Sequence, residues 1–234
     1  MNYFLATDDV VGISFWIATA VMAAGALFFW MERSTVKASW QTSLTVACLV
    51  CFVAFWHYMY MRDVWVATGE SPTVYRYIDW LITVPMQIVE FYLILAACTA
   101  VSLGVFWKLL VGSLVMLLGG YAGETGMLSP MVGFVVGMAG WVFIIYYIFV
   151  GEAAQIKDSA GNENLVMAFD GIKWIVTIGW AIYPIGYFMG YLGSGIGDGA
   201  MLNTIYNLAD LVNKFLFGLV IWYAAMRDSG VAKG

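Results

Sequence analysis

Seven stretches of apolar residues, each long enough to cross a lipid bilayer as a helix, divide the sequence. Short polar or charged segments separate them. The pattern predicts an all-α membrane protein, a single bundle of seven transmembrane helices that includes residues 1–234 and has no internal repeat or second domain. The predicted spans are about Val10–Met31, Thr42–Met61, Pro72–Ala100, Phe106–Gly123, Met131–Val150, Leu165–Leu192 and Met201–Met226.

Residues with positional preferences mark several span ends. The second span is predicted to end at Arg62-Asp63. Ser71 and Pro72 are predicted to begin the third, because serine caps a helix and proline suits its first position. The polar segment Ala153–Asn164 is predicted to be the longest loop, and a glycine-rich loop, Gly193–Gly199, leads to the seventh span.

The composition also indicates a polytopic membrane protein. Hydrophobic residues make up 63% of the chain and charged residues only 11%, whereas a soluble domain carries about 25% charged residues. No basic patch points to nucleic acid. Cys48, Cys51 and Cys98 all lie in apolar runs, which favours small buried hydrophobic side chains over a metal or redox site.

The basic residues predict the orientation of the bundle. With the N-terminus outside, the outer side holds only Arg62, and the inner side holds seven basic residues. Since such residues accumulate on the cytoplasmic side, we expect an outer N-terminus and a cytoplasmic C-terminus. The segment before the first span is acidic, so that span is expected to direct insertion unless a leader precedes it. The seven inner residues are Arg33, Lys37, Lys108, Lys157, Lys173, Arg227 and Lys233.

Lys214 lies near the centre of the seventh span, where an ammonium group costs about 2.5–3.5 kcal/mol on insertion scales. Asp210 lies four residues earlier and therefore on the same helix face. One interpretation is an ion pair that only holds the bundle together. The other is a reactive amine, since a desolvated lysine forms a Schiff base with an aldehyde ligand. A protonated Schiff base still needs a carboxylate partner.

The third span carries a polar stripe of Arg76, Asp79, Thr83 and Glu90. Asp79 and Glu90 are 11 positions apart, which corresponds to about 20° of rotation after whole turns and about 16 Å of rise. Such a stripe is costly in a membrane unless it lines a polar path. Glu90 near the inner side, Lys214 at mid-depth and Asp79 nearer the outer side have the order of a proton relay. Arg76 is expected to stabilise the Asp79 anion and to gate the outer half.

The charged groups of the third and seventh spans, and the histidine of the second, also have structural explanations. Structural ion pairing explains Arg76, Asp79 and Asp210, but Glu90 has no obvious basic partner. A buried carboxyl of that kind is expected to stay protonated, which suits a proton donor. His57, the only histidine, either packs in the second span or faces Asp79 and shares its proton.

Aromatic residues form a further candidate site. Trp180 and Tyr183 share a face of the sixth span, and Pro184 predicts a kink there. These side chains either pack in the core or, together with Trp80 and Trp141, wall a slot for a flat apolar ligand.

These motifs resemble those of the microbial rhodopsins over the whole chain. The segments Phe55–Tyr60 and Ile205–Asp210 are similar in particular to those of the proteorhodopsins. The other matching segments are Arg76–Trp80 with Thr83, Pro85 and Glu90, then Trp180-x-x-Tyr183-Pro184, and Asp210-x-x-x-Lys214.

The resemblance implies that Lys214 binds all-trans retinal as a protonated Schiff base, with Asp79 and Asp210 as its counterion. Asp79 would be the primary proton acceptor and Glu90 the cytoplasmic donor. His57 would hydrogen-bond to Asp79. Around Lys214, the implied retinal site consists of Trp80, Gln87, Met116, Trp141, Trp180, Tyr183, Pro184 and Tyr206.

Gln87 occupies the position that resembles the spectral-tuning site of proteorhodopsins. Leucine there goes with green absorption and glutamine with blue. A polar amide near the polyene favours the charge distribution of the ground state, which raises the excitation energy. The resemblance therefore implies a blue-absorbing pigment.

The implied function is a light-driven outward proton pump, not an enzyme, in the bacterial inner membrane. The resemblance further implies a homo-oligomer of five or six subunits, with Trp16 near a neighbour's His57. A photosensory rhodopsin that signals through a partner is the alternative, and Glu90 favours the pump. A third interpretation is a seven-helix receptor or transporter without retinal.

Overall fold

Seven long apolar helices follow one another in the computed structural model, which describes residues 4–193 and 199–231. No strand occurs among these residues, so the predicted all-α fold is confirmed. Two 3₁₀ turns, Arg33–Thr35 and Ala38–Trp40, join the first two helices, and a short helix, Glu152–Ser159, follows the fifth. The seven are α1 Val10–Glu32, α2 Gln41–Thr68, α3 Thr73–Cys98, α4 Leu103–Glu124, α5 Pro130–Phe149, α6 in four segments (Glu163–Trp174, Ile175–Gly179, Ile182–Tyr187, Phe188–Leu192) and α7 in three (Gly199–Asp210, Leu211–Leu216, Phe217–Asp228).

Helices that are adjacent in sequence pack together from α1 to α5, and α7 closes the bundle against α1, α2 and α6. Apolar side chains cover most of the outer surface, as is typical of helices that face lipid. The polar side chains of α3 and α7 lie inside. They are Arg76, Asp79, Thr83, Gln87 and Glu90 on α3, and Asn203, Asn207, Asp210, Asn213 and Lys214 on α7.

The junction of α2 and α3 differs from the prediction. α2 continues past Arg62-Asp63 to Thr68 and ends at Gly69, whose φ of +69° suits glycine. The charged pair does not end the helix because the Arg62 guanidinium pairs with Asp63 at 2.7 Å and lies over the Trp16 ring. These contacts keep both charges at the side of the helix.

Ser71 and Pro72 do not start α3 as predicted. Pro72 is the capping residue, and no side-chain hydrogen bond caps the helix. The Ser71 hydroxyl instead donates to Asn203 Oδ1 at 3.2 Å. Serine therefore links the start of α3 to α7 and leaves the helix end uncapped.

The predicted loop Ala153–Asn164 is largely helical. The helix Glu152–Ser159 buries Ala153 and Ala154, and Lys157 pairs with Asp170 of α6 at 3.2 Å. These contacts explain why a polar segment stays ordered against the bundle. Most of the predicted loop Gly193–Gly199, and also Lys233, lie outside the described residues.

α6 and α7 contain π-helical segments, Ile175–Gly179 and Phe188–Leu192 in α6 and Leu211–Leu216 in α7. α6 is also interrupted at Trp180-Ala181, near the predicted kink at Pro184. Proline has no N–H for the Trp180 carbonyl, which instead accepts from the Tyr183 N–H at 3.1 Å. The two irregular helices meet beside the middle of α3.

Candidate functional site

Lys214 is enclosed between two carboxylates at the centre of the bundle. Its Nζ donates to Asp210 Oδ2 at 2.8 Å and to Asp79. The lysine side chain is 2% exposed and both carboxylates are fully buried. Asp210 reaches the amine along α7, as the four-residue spacing predicts, and Asp79 reaches it from α3. A buried ammonium persists only with such direct opposite charges.

Two tyrosines complete the surroundings of Asp210. The Tyr58 hydroxyl of α2 donates to Asp210 Oδ2 at 2.7 Å, and the Tyr183 hydroxyl of α6 donates to Oδ1. Asp210 is therefore fixed by donors from three helices. The role of Tyr58 was not predicted from the sequence, although its position directly after His57 within Phe55–Tyr60 was a signal that could have pointed to it.

Arg76 lies on the side of this cluster nearer the start of α3, without contacting Asp79. Its Nη2 donates to Asn203 Oδ1 at 3.0 Å and Asn207 Oδ1 at 2.9 Å, and its Nη1 lies 3.4 Å from the Tyr58 hydroxyl. These contacts are with neutral side chains, and the expectation that the charge of Arg76 stabilises the Asp79 anion stays a prediction.

The asparagines of α7 were missed in the sequence analysis. Asn203, Asn207, Asp210 and Lys214 recur at intervals of four, three and four residues. That spacing places all four on one helical face. Helical periodicity was therefore the signal that would have found them.

His57 lies beside Asp79 but does not form the expected hydrogen bond. Its Nδ1 is 2.9 Å from the carbonyl of Val53 and 3.9 Å from Asp79 Oδ1. One ring nitrogen bonds best to one neighbour, and here the α2 carbonyl is the nearer. Thr83 also bonds to backbone, since its hydroxyl donates to the Asp79 carbonyl at 2.9 Å.

Glu90 lies apart from this cluster, deep between the helices. Its side chain is buried, and neither carboxyl oxygen has a hydrogen-bond partner among the described residues. The Ser43 hydroxyl of α2 faces it without forming a well-oriented hydrogen bond. A carboxyl with no cationic partner is best accommodated with its proton in place.

An apolar cavity extends from Lys214 between α3, α4, α5 and α6. Every side chain assigned to the retinal site on the basis of resemblance lines it. At the end of the cavity nearer the start of α3, the Tyr77 hydroxyl donates to Glu124 at 2.7 Å. The ligand-site residues along its wall are Trp80, Gln87, Met116, Trp141, Trp180, Tyr183, Pro184, Tyr206 and Lys214.

Comparison with known proteins identifies the family. The family model of bacteriorhodopsin-like proteins matches residues 9–227. The chain belongs to the bacteriorhodopsin-like family. The resemblance to microbial rhodopsins is thus confirmed, and this bacteriorhodopsin-like protein is a multi-pass membrane protein with seven spans in the part that the structure describes.

Proteorhodopsins are among the similar proteins of this family. The "Blue-light absorbing proteorhodopsin" of Gamma-proteobacterium Hot 75m4 is 54% identical over 226 residues, 96% of this chain and 90% of that protein. The "Green-light absorbing proteorhodopsin" of Gamma-proteobacterium EBAC31A08 is 53% identical over 228 residues, 97% and 91% of the two chains. The crystal structure of blue light-absorbing proteorhodopsin from Med12 is 58% identical, with a TM-score of 0.82 over 94% of this chain and 100% of that one. Blue and green relatives are almost equally similar, so overall identity does not decide colour.

Gln87 of this bacteriorhodopsin-like protein joins α3 to α7. Its Nε2 donates to the carbonyl of Asn213, the residue before Lys214, at 2.6 Å. The Asn213 side chain in turn donates to the Gly179 carbonyl of α6 and to the Tyr183 hydroxyl, each at 3.1 Å. Gln87, expected from the resemblance to tune the spectrum, is therefore bonded directly to the π-helical segment that carries Lys214.

Proposed function

We propose that this protein is a light-driven outward proton pump with all-trans retinal bound to Lys214. The observation that carries the proposal is the buried amine, held between Asp79 and Asp210 at one end of an aromatic cavity. Membership of a family that includes light-absorbing proteorhodopsins supports it.

The cavity suits a long, flat, apolar aldehyde. Trp80, Trp141 and Trp180 line it, and the glycines Gly120 and Gly137 leave room between their helices. Retinal, joined to Lys214 as a protonated Schiff base, would supply light absorption and a light-driven change in the proton affinity of the nitrogen. Asp79 and Asp210 balance the positive charge at that nitrogen.

The residues provide a direction for proton movement. Asp79, in direct contact with the Lys214 nitrogen, takes its proton, while Tyr58 and Tyr183 hold Asp210 in the charged form. Glu90, about 16 Å from Asp79 along α3, returns a proton from the other side. Because the buried Glu90 carboxyl has no hydrogen-bond partner among the described residues, it keeps its proton until the nitrogen of Lys214 has lost its own. A carboxyl donor of this kind favours a pump over a sensor.

The basic residues support an outer N-terminus and a cytoplasmic C-terminus in the bacterial inner membrane. In that orientation Asp79 faces outward and Glu90 inward, so net transport is outward. The protein is accordingly a transporter and not an enzyme.

Blue absorption is proposed from Gln87, whose amide lies in the cavity wall. We further infer a ring of five or six copies, with Trp16 of one subunit near a neighbour's His57. The Trp16 side chain is 50% exposed on the outside of α1, which suits such a contact. Native mass spectrometry of the detergent-solubilised protein tests the subunit number.

The decisive experiment follows external pH in an unbuffered suspension of illuminated cells that express the protein with added all-trans retinal. Light should acidify the medium, and a protonophore should abolish the signal. Asp79→Asn should retain a coloured pigment without acidification, and Lys214→Ala should give no covalent pigment.

Other outcomes of this pH measurement would contradict parts of the proposal. Alkalinisation would reverse the proposed direction, and a protonophore-enhanced signal would indicate another transported ion. A pigment without any pH change would favour the sensory alternative. A cell suspension that forms no pigment would exclude retinal.

A further inference from the structure

The hydrogen-bond acceptors of the buried Arg76 guanidinium are neutral side chains. Asn203 and Asn207 accept from the same nitrogen, at 3.0 Å and 2.9 Å. Arg76 is 2% exposed and the two asparagines 1% and 0%. A buried charge usually has a charged partner in contact, because desolvation is costly. The two amide oxygens accept from Nη2 of Arg76 without neutralising its charge, and Nε has no hydrogen-bond partner among the described residues.

The amide of Asn207 is itself held by a neighbouring helix. Its Nδ2 donates to the Ser14 hydroxyl of α1 at 2.9 Å, and that hydroxyl donates to the Val11 carbonyl at 2.7 Å. With its nitrogen engaged by Ser14, Asn207 presents its oxygen to Arg76. α1 thus fixes an acceptor on α7 that orients a cation on α3.

The position of Arg76 determines where its charge acts. The Tyr58 hydroxyl bridges it to Asp210, since this hydroxyl lies 3.4 Å from Arg76 and 2.7 Å from Asp210. On the other side, the Arg76 charge interacts with the Glu124 carboxyl of α4. A guanidinium between two carboxyl groups moves toward the one that attracts it more strongly, here Asp210 or Glu124, unless another contact holds it in place.

We propose that Asn207 is a positioning residue, which together with Asn203 holds the Arg76 guanidinium on the outer side of Tyr58. The positive charge of Arg76 then stays at a fixed distance from the Asp79–Asp210–Lys214 cluster and stabilises the charged form of its carboxylates. This inference rests on the proposed function only in that its test uses the retinal pigment.

The acid–base behaviour of that cluster depends on groups from four helices. A titration of the coloured pigment therefore measures the whole cluster and not one carboxyl. The cluster itself consists of Asp79 from α3 and Asp210 and Lys214 from α7, and the groups that face it are Cys51, His57 and Tyr58 from α2, Arg76 from α3 and Tyr183 from α6.

Two substitutions at Asn207 should move the titration in opposite directions. The measurement is the pH at which half of the purified pigment changes colour in the dark. Asn207→Asp pairs with Arg76 and withdraws its charge from the cluster, so the midpoint should rise by about one pH unit. Asn207→Leu removes the acceptor and lets Arg76 approach Asp210, so the midpoint should fall by about half a unit. A residue with a merely structural role would not give opposite shifts.

Thr204→Asp is the matched control for added charge. Thr204 lies on the same stretch of α7, and its hydroxyl bonds to the Ala200 carbonyl of that helix. Its shift should be smaller than that of Asn207→Asp. Equal shifts in these two variants, shifts of one sign in both Asn207 variants, or unchanged midpoints would overturn the inference.

Ser14→Ala keeps the inference testable if the Asn207 variants form no pigment. It frees the Asn207 amide without touching Arg76, so the midpoint should fall by less than in Asn207→Leu, and an unchanged midpoint would overturn the inference. Absence of pigment in the unmodified protein would instead refute the proposed function, and this inference with it.

Discussion

Gly140→Ala should separate α4 from α5. A Cβ built on Gly140 lies 2.6 Å from Met116 N, 2.8 Å from the Gly112 carbonyl oxygen and 2.9 Å from Met116 Cα. Ordinary contacts begin at 3.4 Å, so the methyl group is about 0.8 Å too near at the closest atom. All three neighbours are backbone atoms that cannot rotate away, and the helices themselves must therefore move.

The expected loss of stability follows from this geometry. Overpacking costs about 1–3 kcal/mol, and the upper end applies because backbone atoms are involved. The better helix propensity of alanine offsets about 1 kcal/mol. The net loss of about 2 kcal/mol should lower the midpoint of thermal unfolding by about 4–8 °C for a chain of this length.

Thermal bleaching of the purified pigment measures this effect, and Gly190→Ala is the control, at a glycine outside the cavity. Its Cβ would lie 3.5 Å from Leu202 Cδ2, the end of a flexible side chain at an ordinary contact distance. This variant should bleach at no lower temperature than the unmodified protein. Equal bleaching temperatures for Gly140→Ala and the unmodified protein, or an equal drop at Gly190, would refute the reasoning.

Three further predictions concern single side chains. Gln87→Leu removes the amide bonded to Asn213 and should move the absorption maximum to longer wavelength, and an unchanged spectrum would contradict its tuning role. Glu90→Gln should slow recovery of the flash-excited pigment by about 100-fold, whereas an unchanged decay rate would rule out a donor. Asp228→Ala removes the acceptor that lies 2.9 Å from the Trp40 indole nitrogen. A lost hydrogen bond to a charged group costs about 1.5–3 kcal/mol, so bleaching should occur about 3–12 °C lower, and no drop would show that the bond adds no stability.

Helical periodicity predicted the elements of the site that lie on one helix. The spacing of Asp210 and Lys214 places them in contact, and the 11-residue spacing of Asp79 and Glu90 places both inside the bundle. These relations depend only on rotation per residue, so a single sequence contains them.

Contacts that depend on side-chain rotamers or on the packing of different helices could not be predicted from helical periodicity. The bond of His57 to Val53, and not to Asp79, depends on a side-chain rotamer and on whether Nδ1 lies 2.9 Å or 3.9 Å from an acceptor. The asparagine acceptors of Arg76 depend on which faces of α3 and α7 meet. The helix at Glu152–Ser159 forms because tertiary contacts hold a segment whose polar composition is typical of a loop.

The π-helical segment Leu211–Leu216 has a consequence for chain length. A π turn holds an extra residue compared with an α turn. Because the extra residue is taken up within Leu211–Leu216, the halves of α7 on either side keep the relative rotation of a regular helix. Deleting a residue from the regular segment Gly199–Asp210 would instead rotate everything before it by about 100°. Asn203 would then point away from Arg76, although no functional side chain had been replaced. A change of chain length by one residue is therefore better tolerated inside the π-helical segment, away from Asn213 and Lys214, than in the regular turns before it.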